Sequence, residues 1–402
     1  MIAFEAWCFT LRSWLQRSWS GEVWFMRIGI DVRYLSHGLV GGVHRYITYL
    51  VPALMKAGPQ HQFFLYADTK GPLELTDIPS NAVVRLLPYR NALSSVYNDR
   101  FMHRAMAQDK LDVVHFPANY GFGPRGTRTV ITLHDQINVM PLREIVRGHT
   151  KKVSTIGMMT YLHFSTRQAL RRADLVVTIS NYSRQEIIRH SGFDANRIEV
   201  VMYGPPPDAR RITNGAVLTE ICQRHQLDKP FVLADAIKNP GTLTRAWERL
   251  PADLRTQHQI VFFSRVPEPP TEVLQAEAAG YARVLVRPPY EDLIGLFNLA
   301  RAFVFPSWIE GLGIPVFEAM TCGAPVIASD RGSIPEVAGD AGLLADAEDT
   351  DAFALNIVRV LTDPDLANQM RTRGFERAAQ FTWSETARRI LACYERALNL
   401  PA

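Results

Sequence analysis

From Met26 onward the chain alternates short, almost continuous apolar runs with longer stretches in which apolar residues recur every three or four positions. RIGIDV is followed by a glycine pair and then by VHRYITYLVPALMKAG, which predicts strand, loop and helix. QFFLYA, VVRLLP, DVVHFP, TVITLHD and DLVVTIS follow as further short runs, and RIEVVMYG closes the set. Runs of Val, Ile and Leu without polar alternation fit strands buried on both faces, as in a parallel sheet covered by helices. Tyr203-Gly204-Pro205-Pro206-Pro207 then breaks the pattern. Three prolines in a row continue neither a helix nor a central strand, so this segment predicts a linker.

The alternation restarts beyond it. PFVLADA, QIVFFSR, ARVLVRPP, ARAFVFPS and APVIASD predict strands, with TLTRAWERL and YEDLIGLFNLA among the helical stretches between them. After Phe381-Thr382-Trp383, SETARRILACYERAL predicts an amphipathic terminal helix. The expected fold is α/β: two Rossmann-like doubly wound domains facing a cleft. Their expected extents are 26–204 and 205–381, with a helix over 382–402 crossing back to the first domain. Strands of both sheets would offer their carboxyl ends to the cleft, where such folds bind ligands.

Composition changes this picture little. The 402 residues suit two domains, and 47% apolar with 21% charged content is that of a globular chain. No apolar run reaches the roughly 18–20 residues that cross a bilayer. Cys8, Cys222, Cys322 and Cys393 are far apart, which favours a reduced, cytoplasmic setting without structural zinc. Charge is uneven: residues 1–200 carry 24 Lys/Arg against 15 Asp/Glu, and residues 201–402 carry 20 against 25. A basic first half suits an anionic membrane face, although a chance asymmetry of solvated faces explains it equally. Nothing has the spacing of a nucleic-acid motif.

Two segments fall outside the alternation. Residues 1–25 hold four tryptophans, and Phe4, Trp7, Cys8, Leu11, Trp14 and Leu15 lie at helical spacing beside Arg12 and Arg17. An interfacial helix is one reading; a native start at Met26, with 1–25 extraneous, is the other. From Arg143 to Arg172, basic Arg147, Lys151, Lys152, Arg167 and Arg171 mix with Ile156, Met158, Met159, Tyr161, Leu162 and Phe164. That mixture fits contact with anionic lipid or a solvated helix over core.

Chemistry concentrates in FPSWIEGLGIPVFEAMTCG (305–323). The strand pattern delivers Glu310, Gly311-Leu312-Gly313-Ile314 is a loop, and Pro315 opens a short helix that Gly323 stops. Glu318 falls in that helix. An acid near a helix start can simply complement the dipole, and Glu310 can be a solvated turn residue. The alternative has more content: glycines let amides approach a ligand, a helix start binds phosphate, and a carboxylate beyond it accepts from a ribose diol.

FPSWIEGLGIPVFEAMTCGAPVIASDRGSIPEVAGDAGLLADAED resembles the signature of the retaining, nucleotide-sugar-dependent glycosyltransferases of family 4, which have the GT-B fold. Two glutamates eight positions apart, the PVIASD strand, the PEVAGDAG turn and the terminal F-T-W helix match in order, and the resemblance runs from about Met26 to the end. It implies that Glu318 binds the donor ribose, that Glu310 faces the sugar hydroxyls, and that Gly311, Leu312, Gly313 and Ile314 hold the leaving phosphates. It also implies a donor-phosphate role for Gly41-Gly42 and a place beside the sugar for His134, before Asp135; the rival readings are a tight turn and a packed histidine. Ser180-Asn181-Tyr182-Ser183 resembles the family's serine-rich turn, for which N-capping is sufficient explanation.

One stretch departs from the pattern. FVLADAIKNPGTL lacks the family's usual glycine and arginine, keeping Lys238-Asn239; Lys238 would meet the diphosphate charge, with Arg265 and Arg287 as substitutes for the arginine. Asp349-Thr350-Asp351 and Asp363-Pro364-Asp365 have a metal–diphosphate spacing but precede helical patterns, so they read as caps. The implied enzyme is a retaining, metal-independent hexosyltransferase in bacterial surface polysaccharide synthesis. Its expected donor is GDP-mannose first and a UDP-sugar second; its acceptor is a saccharide or lipid-linked saccharide, reached in the cytoplasm or at the inner membrane face. A catalytically weak nucleotide-sugar-binding partner protein and a sugar phosphorylase on the same fold remain alternatives.

Overall fold

The computed structural model describes residues 25–37, 41–147 and 153–401. The tryptophan-rich segment 1–24, Lys151 and Lys152 lie outside the described residues. The first sheet comprises β1 (Arg27–Asp31), β2 (Gln62–Asp68), β3 (Ala82–Leu87), β4 (Val113–Phe116), β5 (Arg128–Thr132), β6 (Leu175–Thr178) and β7 (Ile198–Val200). The second comprises β8 (Phe231–Asp235), β9 (Gln259–Ser264), β10 (Ala282–Val286), β11 (Ala302–Phe305), β12 (Val326–Ser329) and β13 (Gly342–Ala345).

All pairings are parallel, in the orders β3-β2-β1-β4-β5-β6-β7 and β10-β9-β8-β11-β12-β13. The strand order therefore reverses between β1 and β4 and between β8 and β11. At such switch points the loops leave on opposite faces and open a crevice at the carboxyl ends. Central strands are buried throughout, as in β4, β6, β8 and β11, which explains their unbroken apolar sequences. β13 was not predicted. Its four residues, GLLA, sit between turn signals and hold no β-branched or aromatic residue to mark them as a strand.

The terminal helix Trp383–Leu398 is stopped from continuing the second domain by the turn at Phe381-Thr382, where the Thr382 side chain accepts the Glu385 amide. Its buried face, Ala387, Ile390, Leu391, Tyr394 and Ala397, repeats at helical spacing and packs beside the helix Gly42–Ala57 of the first domain. Trp383 stacks on Tyr203 with centroids 5.1 Å apart and donates its indole N–H to the Pro205 carbonyl at 2.9 Å. The two strands of chain that cross between domains are thus fastened to each other.

Candidate active site

The switch point of the second sheet sets two loops side by side. β8 ends at Asp235 and leads through Ala236–Asn239 into the helix Pro240–Glu248; β11 ends at Phe305 and leads into the helix Ile314–Cys322. β11 stops well short of Glu310, because Pro306 has no N–H for the ladder. Across these loops Lys238 Nζ lies 2.8 Å from Glu310 Oε1, which also accepts the Ser307 hydroxyl at 2.8 Å. Two residues predicted 72 positions apart thus form one ion pair.

The helix at Ile314 begins from Gly313, whose φ is 84°; no side chain caps it and no acid lies in its first turn. Its start therefore keeps its positive end for a ligand. Leu312 is buried beneath the loop. Glu318 lies in the second turn and is 0% exposed, so it is not a surface acid compensating the dipole. Its Oε1 accepts the Tyr290 hydroxyl at 2.7 Å and Arg45 Nη1 at 3.2 Å. Its Oε2 is buried without a hydrogen-bond partner among the described residues. A desolvated carboxylate oxygen left unpaired costs about 1–3 kcal/mol or more, which a ligand hydroxyl would recover.

Between the domains lies a cavity of about 630 Å³. Gly41, Gly42 and Arg45 line it from the first domain, and Arg265, Arg287 and Ile314 from the second. Tyr49, Tyr203, Tyr290 and Trp383 give it aromatic walls. Arg265 Nε lies 3.6 Å from Asp235 Oδ2, whose carboxyl burial raises above the usual range. The Arg287 side chain has no ion pair among the described residues. Glu310, Lys238 and His134 do not line this cavity; Glu318 reaches it through Arg45 and Tyr290.

His134 adjoins the same loop from the other side: a Cβ on Gly311 would lie 3.1 Å from its carbonyl oxygen. Its Nε2 faces the Pro117 carbonyl at 2.9 Å, which can only accept, so the ring carries its proton there and leaves Nδ1 as acceptor. Tyr46 meets the ring edge-on at 4.8 Å. Burial pulls its pKa down to about 4, so the ring is neutral near pH 7.

Other predicted residues also find places. Ser180 caps the helix Asn181–Ser191 and additionally donates to the Gly311 carbonyl at 2.8 Å, a bond across the cleft that capping did not anticipate. Asp349 and Asp363 accept the amides of Ala352 and Leu366, as helix caps do. Val153, Met158 and Phe164 are exposed on the helix Val153–Leu170. Among the described residues no group of three or more His, Cys, Asp or Glu gathers at metal-binding distance. Sequence reasoning missed Arg45, Tyr290 and Glu336; only Arg45 had a signal, one helical turn beyond Gly41-Gly42.

Comparison with known proteins matches both halves. The family model "Glycosyltransferase Family 4" covers residues 40–207, and "Glycosyl transferases group 1" covers 234–377. The chain is 32% identical over 298 residues to O-antigen chain mannosyltransferase B of Escherichia coli, covering 72% of this chain and 75% of that one. Among solved structures, sucrose-phosphate synthase from Thermosynechococcus elongatus superposes with a TM-score of 0.67 at 20% identity, covering 92% and 98% of the two chains. Anabaena Alr3699/HepE in complex with UDP-glucose gives 0.65 at 16%, covering 92% and 100%. The structural likenesses carry the fold, and the sequence matches carry the family: the chain belongs to glycosyltransferase family 4 and is a glycosyltransferase of GT-B fold.

Proposed function

We propose that this glycosyltransferase moves a hexose, with retention of anomeric configuration, from a nucleotide diphosphate donor to a saccharide or lipid-linked saccharide of a bacterial surface polysaccharide. The observation that carries the reading is Glu318: a fully buried carboxylate with one oxygen unpaired, one turn along a helix whose start is open to phosphate. Mannose from GDP-mannose is the first donor, supported by the similarity to an O-antigen mannosyltransferase; a UDP-sugar is the second. The division into 26–204, 205–381 and 382–402 belongs to the same reading.

As the sugar–phosphate bond breaks, negative charge grows on the leaving diphosphate and positive charge on the sugar ring. The amides of Gly311 to Ile314, the helix start and Lys238 meet the first charge with dipoles already oriented. Gly41 and Gly42 bring backbone close to the phosphates, and Arg265 and Arg287 add positive charge at the cavity. Glu310, held by Lys238 and Ser307, faces the sugar hydroxyls, and neutral His134 accepts from one of them. The reading uses no metal. The enzyme works in the cytoplasm, its basic first domain resting on the anionic inner membrane face; no described helix is long and apolar enough to cross a membrane.

The test is calorimetric binding across a panel of nucleotide sugars, with Glu318→Ala alongside, and proton NMR of the product linkage for the sugar that binds. Loss of the two carboxylate–ribose hydrogen bonds predicts affinity lower by about a hundredfold in the variant. Absence of binding by every nucleotide sugar, or wild-type affinity in Glu318→Ala, overturns the reading.

A further inference from the structure

The leaving diphosphate should meet an arginine, and the Ala236–Asn239 loop has none. Arg265 leans towards Asp235. Arg45 is placed differently. It projects from the first turn of the helix Gly42–Ala57, immediately beyond the Gly41-Gly42 lining of the cavity, and its side chain is 38% exposed. Its guanidinium lies over the Tyr290 ring at 4.3 Å and reaches Glu318 Oε1 at 3.2 Å. Tyr290 already donates to that oxygen at 2.7 Å. The carboxylate that would take the ribose diol therefore has one oxygen empty and one shared between a short bond and a longer, charged one.

A diol needs both oxygens, so one donor must yield. The longer bond, from a flexible and partly exposed arginine, is the one that does. Four residues of helix separate Glu318 from Ile314, about 6 Å of axial rise. A guanidinium released from the carboxylate can swing through that distance on its own stem, and its planar fork suits phosphate oxygens. Resting on the proposed nucleotide-sugar reading, we propose that Arg45 is a donor-binding residue supplied by the first domain. It holds Glu318 while the site is without donor and moves to the diphosphate when ribose takes the carboxylate. Arg45 thus supplies across the cleft the arginine that the Ala236–Asn239 loop lacks.

The two parts of a nucleotide then have opposite dealings with this residue. A nucleoside competes with Arg45 for Glu318, whereas a nucleoside diphosphate displaces it and uses it. Isothermal titration of the full chain with GDP and guanosine, and with UDP and uridine, separates these effects. Arg45→Ala should weaken the bound diphosphate by about ten- to a hundredfold, and leave the matching nucleoside unchanged or tighter. Arg45→Lys, which keeps the charge and the fold but loses the fork, should fall between. Equal weakening of diphosphate and nucleoside, or no change in either, overturns the assignment. Where Arg45→Ala gives either of those results while the wild type binds nucleotide sugar and Glu318→Ala does not, Arg45 alone falls and the donor reading stands; if the wild type binds neither pair, the donor reading fails first and this inference with it.

Discussion

Gly332 has φ +61°, and a Cβ there would lie 2.8 Å from the Glu310 carbonyl oxygen, which accepts the Ser333 hydroxyl at 3.0 Å. A side chain is strained twice at this position, by the left-handed backbone and by the contact. Gly332→Ala should therefore push Glu310 out of register with Lys238, lowering kcat about tenfold or more while costing about 1–3 kcal/mol of stability. Steady-state kinetics beside urea denaturation checks it; an unchanged kcat would mean that the Glu310 backbone position does not matter. The two glutamates were legible in the sequence because a glycine loop and a helix opened by Pro315 and stopped by Gly323 are local patterns. Their surroundings were not. Nothing local distinguishes an acid exposed at a helix start from Glu318, sealed beneath Tyr290 and Arg45, because those partners come from other elements.

At the scale of elements, the terminal helix is fixed to the first sheet by buried polar groups as well as by packing. Tyr394 OH lies 2.7 Å from His115 Nδ1, and His115 Nε2 lies 2.7 Å from Thr132 Oγ1, joining the helix to β4 and β5. Burial holds the His115 pKa down to about 3 and that of His134 to about 4, against about 6.5 for a free imidazole. Between about pH 6.5 and pH 4 the unfolded chain binds protons that these folded rings refuse, so acidification through that window destabilises the fold. Above it the rings contribute no slope. Asp135 and Asp235, whose carboxyls burial raises, act in the opposite sense nearer the carboxylate range, so the informative quantity is a difference. His115→Gln should flatten the dependence of unfolding free energy on pH by about one proton, or about 1.4 kcal/mol per pH unit, between pH 5 and about 6. Urea denaturation across that range measures it, and an identical slope would mean that His115 is protonated in the fold. The helix itself was readable from its apolar stripe. The histidine was not, since VVHF is simply a strand sequence until Tyr394 arrives from 279 residues away.

Across the whole molecule, the two domains are held by polar contacts that no sequence pattern announces, because their partners lie in different domains. Glu336 Oε1 accepts the Tyr182 amide at 2.7 Å, and its Oε2 accepts the Asn181 amide at 2.8 Å and the Asn181 side chain at 2.9 Å. A carboxylate of one domain thus takes the first-turn amides that the Ser180 cap leaves free on a helix of the other, where dipole and hydrogen bonds both favour it. Ser180 adds its bond to the Gly311 carbonyl. These contacts draw the cleft together. A charge-assisted bond of this kind contributes about 1.5–3 kcal/mol, so even one is enough to change a closed-to-open ratio by about tenfold or more. Glu336→Ala should therefore open the donor-free molecule, raising its radius of gyration by small-angle scattering, and saturating nucleotide sugar should restore the wild-type value. Because closure excludes water, the variant should also release more free sugar per transfer than the wild type. Identical scattering profiles and an unchanged ratio of hydrolysis to transfer would mean that Glu336 only caps a helix and that closure is set elsewhere in the cleft.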